Sequence, residues 1–123
     1  MKTVLLYIGR IIFGGYFIFG GMNHFTKLEM MSGYAKSKGA PSPKLSVAFS
    51  GLLLLIGGVS VLLNIFPALG FISLIFFLVP VILIMHAPWK VEDPQIKMNE
   101  MINFMKNFAL AGAVLILLAY TLA

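Results

Sequence analysis

No cysteine occurs in the chain. Its absence removes disulfides, thiol redox chemistry, cysteine-ligated iron–sulfur clusters and cysteine-bound zinc. Charge is also scarce, at 11% of 123 residues, with four carboxylates against nine lysines and arginines. A soluble domain of this length needs far more polar surface. The net charge of +5 is not a nucleic-acid footprint. The lysines flank apolar runs, where they read as topology and lipid-headgroup contacts, so membrane lipid is the expected partner and nucleic acid is not.

What the chain has in quantity is apolar sequence, 60% of its residues. It falls into four runs, at 3–24, 45–65, 67–86 and 103–122. Each is close to the roughly 20 residues that a bilayer demands. Backbone groups in lipid must be bonded within their own segment, so each run is a helix. The chain is therefore predicted to be an all-α integral membrane protein, an antiparallel four-helix transmembrane bundle forming one domain over 1–123. The first run reads as a retained span rather than a cleaved signal, because Arg10 interrupts it and no Ala-x-Ala site follows.

Two long links remain, both with short helical patterning. In the first, Leu28, Met31 and Tyr34 fall at helical spacing before Gly39, Pro41 and Pro43, which predicts a short helix lying in the interface. In the second, Asp93-Pro94 supplies a cap and a first-turn proline, so the fourth helix should begin near 94, ahead of the hydrocarbon. Lys27, Lys36, Lys38, Lys44, Lys90 and Lys97 all lie in these links. The lysine bias puts both long links in the cytoplasm and the termini outside.

Gly14 and Gly21 are seven residues apart, as are Gly51 and Gly58, so each pair shares a helix face. With Gly112 they mark close helix packing over small residues. Arg10 is the one charge deep inside an apolar run, since Lys106 stands at the entrance of the fourth. A guanidinium keeps its proton, and an intramembrane charge marks a site by default. Depth matching offers it Ser60, Asn64, Ser73 and Tyr120, none of them acidic. It is then a hydrogen-bond hub, an anchor for an anion or headgroup, or a contact to a partner subunit that supplies a carboxylate.

An antiparallel path brings Asn23, His24 and Lys27 together with His86 and Trp89, and with Asn103, Lys106 and Asn107. Polar and aromatic groups meeting at one mouth form a candidate pocket. Two imidazoles and Glu100 resemble a metal set, but no HxxxH or HxxE spacing is present and no metal is expected. A quinone or another flat lipid suits the residues better. An imidazole bonds a carbonyl and passes protons near neutral pH, and Trp89 can stack on a ring. On α-helical spacing Gln95, Asn99, Asn103 and Asn107 share a face. That face meets either headgroups or the pocket.

GRIIFGGYFIFGGMNHF at 9–25, YAKSKGAPSP at 34–43, HAPW at 86–89 and KNFALAGAVL at 106–115 resemble the DoxX-like family of small four-span bacterial membrane proteins. By that resemblance, Arg10, Asn23, His24, His86, Trp89, Lys106 and Asn107 fall on the family's polar and aromatic positions. The resemblance implies a bacterial cytoplasmic-membrane protein linked with quinone-coupled oxidoreductase complexes. Many relatives carry an acid in the second span, where this chain has only apolar residues from Gly51 to Gly57. The expectation is an accessory subunit of a larger membrane complex, or a homo-oligomer, that is not an enzyme on its own. It would hold quinone or lipid at His24, His86, Trp89, Asn103 and Asn107. The alternatives are an assembly factor working through its glycine faces, and a small-solute or lipid transporter.

Overall fold

A computed structural model describes residues 1–123. It is all helical, with five α-helices: α1 (Lys2–Thr26), α2 (Leu28–Ser37), α3 (Pro43–Leu63), α4 (Pro67–Pro80) and α5 (Pro94–Leu122). A π-helical turn, Val81–Met85, continues α4, and a single 3-10 turn, Pro88–Lys90, occupies the second link. Four of the helical segments are long and apolar enough to cross a membrane: Lys2–Thr26, Pro43–Leu63, Pro67–Lys90 and Pro94–Leu122. The short α2 lies between the first two.

α1 packs on α3, α3 on α4, and α4 on α5, while no comparable backbone approach joins α5 to α1. The core is one cluster that takes Phe17 from α1, Leu54 and Val61 from α3, Phe71, Leu74 and Leu78 from α4, and Val114 from α5. Outward faces carry exposed apolar side chains such as Ile12, Phe19 and Phe76. In water this would be an aggregation surface; in a bilayer it is the lipid contact.

Glycine sets the tightest contacts. A Cβ on Gly14 would lie 2.8 Å from the Gly58 carbonyl oxygen, and one on Gly58 would lie 2.7 Å from Ile18 Cγ1. Gly21 and Gly51 approach each other in the same way two turns closer to the links. Gly57 and Gly70 then bring α3 against α4. Gly112 differs, because a Cβ there meets nothing within 4 Å.

The tight turn between α3 and α4 is closed locally. Asn64 caps α3 in the left-handed conformation (φ 55°), where asparagine is tolerated. The buried Ser60 hydroxyl donates to the carbonyls of Ile65 and Phe66, the latter at 2.9 Å. At the other end of α4, Pro80 has no N–H to give and crowds the carbonyl of residue 76. The helix absorbs this by widening, and His86 N–H bonds the Val81 carbonyl five residues back. Asp93 starts α5 by accepting from the N–H groups of Gln95 and Ile96.

Candidate functional site

Glu100 stands on the second turn of α5 and is 6% exposed. A carboxylate this buried needs partners, and it has three from different parts of the chain. The Tyr34 hydroxyl of α2 donates to Oε1 at 2.9 Å. His86 Nδ1 lies 3.2 Å from Oε2. A carboxylate can only accept, so this nitrogen carries the proton. Lys38 Nζ is 3.6 Å from Oε2 and also sits 5.4 Å from the centre of the Tyr34 ring. Burial pushes the Tyr34 phenol up to about 12, helped by its bond to the Glu100 carboxylate and by that group's charge. Glu100 therefore ties α2 and the end of the α4 segment to α5.

Beneath α2 lies a cavity of about 510 Å³. α2 contributes Met31, Tyr34 and Ala35, α3 contributes Ser46, Phe49 and Ser50, and α4 with its π turn contributes Phe77, Pro80 and Ile84. His24 reaches the wall from the end of α1. Its Nδ1 is 2.7 Å from the Gly20 carbonyl oxygen, which can only accept, so Nδ1–H donates. Nε2 is the ring nitrogen left to meet a ligand. The ring stands edge-on to Phe77 with centroids 5.8 Å apart. The cavity is thus an apolar box with a few polar atoms, the usual composition of a small-molecule site.

The residues that the sequence grouped at one mouth come from helix ends on the same side of the bundle, and one of them lines the cavity. His24 lines the cavity, whereas His86, Trp89, Asn103 and Asn107 do not. His86 serves Glu100. Trp89 is exposed and meets Phe104 edge-on at 5.5 Å, and Phe104 stacks on Phe108. Along the amide face of α5 there is a gradient: Gln95 and Asn99 are exposed, Asn103 is half-buried and Asn107 is buried. Lys106 is exposed and Asn23 half-buried. Sequence reasoning missed Tyr34, Lys38 and the structural weight of Glu100. The available signal was the i, i+3/i+4 stripe Glu100, Phe104, Asn107, Val114, which sets Glu100 on the inner face of α5.

Arg10 lies apart, in a second cavity of about 410 Å³. Asn64 and Tyr120 share it, while Ser60 is committed to the turn carbonyls.

Against known proteins, the family model described as DoxX matches residues 5–87. The inner membrane protein YphA of Escherichia coli (strain K12) is 30% identical over 116 residues, 94% of this chain and 82% of that protein. No solved structure matches.

Proposed function

The chain belongs to the DoxX family, and from that premise we propose that it is an accessory, non-catalytic subunit of a quinone-linked oxidoreductase complex, holding the ring of a quinone in the cavity beneath α2. The relative's printed name places that protein in the inner membrane, and we place this chain in the bacterial cytoplasmic membrane likewise. One observation carries the reading: an apolar cavity of about 510 Å³ whose wall holds one imidazole with a free Nε2. That volume lies within the range of ligand pockets.

The polar atoms suit a quinone–quinol pair. Nε2 of a neutral His24 accepts a hydroxyl proton, and the protonated ring donates to a carbonyl oxygen. Ser46 and Ser50 donate to the carbonyls of Pro41 and Ser46, so their oxygens remain as acceptors. Phe49, Phe76 and Phe77 offer ring faces and edges. When bound, the quinone supplies the electron acceptor. The residues of this chain orient it, keep water away and hold a proton at His24. The chain has no cysteine to carry thiol redox chemistry, and the electrons come from a partner's redox centre.

The assembly-factor reading is weaker because Gly14, Gly21, Gly51 and Gly58 are consumed inside the bundle. The transporter reading needs a path between faces, and the buried Phe17, Leu54 and Leu74 fall along their helices between the residues that line the two cavities.

The test is lipid extraction after purification in a mild detergent. Quinone should co-purify with the wild type, and His24→Ala or Ser50→Leu should reduce it by about tenfold, the effect of roughly 1.4 kcal/mol. Quinone retained unchanged by both variants, or absent from the wild type, overturns the proposal.

A further inference from the structure

The second cavity carries an inference that is independent of the first. Arg10 projects from α1 into a space bounded by the α3–α4 turn and the end of α5. Its guanidinium stays charged in any environment, and a charge at this depth needs a counter-charge or water. No acidic side chain lies beside it. Its four carboxylates are Glu29, Glu92, Asp93 and Glu100. They lie on α2, in the second link and at the start of α5, at the end of the bundle away from Arg10. The ion pairs present join Lys38 and His86 to Glu100 and Lys44 to Glu29. No carboxylate side chain among residues 1–123 is placed to meet Arg10, so the cavity is open to an added anion.

We propose that this cavity binds a phosphate group, and that a membrane phospholipid carries it. The fork of an arginine matches two phosphate oxygens at once. Asn64 and Tyr120 offer further donors in the same cavity. Both acyl-like and polar surface are present, since Leu6, Phe13 and Leu117 form the apolar walls. Free phosphate has no use for those walls, whereas the first methylenes of a lipid fill them. Arg10 stands eight residues beyond Lys2, about 12 Å along the helix, so a side chain extended toward the termini reaches the headgroup boundary. The gap between α1 and α5 at this end, where no close backbone packing joins them, gives a lipid lateral entry. The site lies in the leaflet nearer the termini, opposite the His24 cavity.

The experiment uses the full chain reconstituted in vesicles of mixed phosphatidylcholine and phosphatidylglycerol. Retained lipid is then read by native mass spectrometry, and a second arm adds inorganic phosphate to delipidated protein and follows its thermal midpoint. Wild type should be enriched in phosphatidylglycerol, and Arg10→Leu should lower that enrichment about tenfold. Gly9→Leu keeps the charge and fills the cavity, because a Cβ at Gly9 meets nothing within 4 Å. It should lower retention as well, while His24→Ala leaves it unchanged. A midpoint raised by inorganic phosphate only when Arg10 is present, with no lipid enrichment, assigns the phosphate site to the free anion. Equal lipid retention in wild type, Arg10→Leu and Gly9→Leu, with no response to phosphate, overturns the proposal.

Discussion

The hydroxyl of Tyr34 donates to the carboxylate of Glu100 at 2.9 Å, across 66 residues of sequence. This bond fastens the short α2, which otherwise rests mainly on α3, to the far side of the bundle. It makes α2 the roof of the cavity below it, and Glu100 the latch of that roof.

Removing the latch should loosen α2 before it unfolds the bundle. Glu100→Ala takes the shared acceptor from a half-buried imidazole and ammonium and from the phenol of the more exposed Tyr34, a loss of about 1–3 kcal/mol. Tyr34→Phe removes one neutral–charged bond and should cost about 1 kcal/mol. Hydrogen exchange over residues 28–37 should accelerate in both variants, more in Glu100→Ala, with α1 and α3 little changed. Unaltered exchange in α2 contradicts the latch.

Alkali should act on the same bond. The Tyr34 phenol is raised from 10.0 to about 12, so the folded state favours the neutral form more than the unfolded state does. Its contribution is complete below pH 10 and is lost as pH climbs through about 12. Ultraviolet titration should show one tyrosine ionising near pH 12 in the wild type, and that component should vanish in Tyr34→Phe. A wild-type titration with no such late component contradicts the bond to the Glu100 carboxylate.

The glycines should sort by position. Gly14→Leu and Gly58→Leu drive side chains into backbone atoms of the facing helix and should destabilise by about 1–3 kcal/mol or more. Gly112→Ala enters open space and should gain up to about 1 kcal/mol in helix propensity. Thermal denaturation in detergent separates the two classes. A stability loss in Gly112→Ala would instead mark that face as packed against something beyond the chain.

The helices were readable because their causes are local. Apolar runs of bilayer length, Pro67 after the Asn64 turn, and Asp93 with Pro94 act within a few residues of where they stand. The patterning of Leu28, Met31 and Tyr34 likewise marks α2. The second link was less legible: the structure holds one 3-10 turn there, since Pro88 and the following extended Val91 leave no room for a longer helix. The site was harder still. Glu100 sits among lysines and polar residues that resemble a solvated link, and its partners are 14, 62 and 66 positions away. Nothing in composition distinguishes a carboxylate that faces headgroups from one turned inward. His24 and His86 look alike in sequence, yet one bonds its own helix and the other a distant acid.

All the interlocked glycine pairs, Gly14 with Gly58, Gly21 with Gly51 and Gly57 with Gly70, precede residue 71. The first three spans can therefore dock on one another while the remainder of the chain is still being synthesised. Until α5 emerges, Tyr34 and Lys38 have no acid to meet, and the cavity has a roof with no fastening. Biogenesis thus leaves an interval in which the chamber stands unlatched, and the fourth span is the one that shuts it.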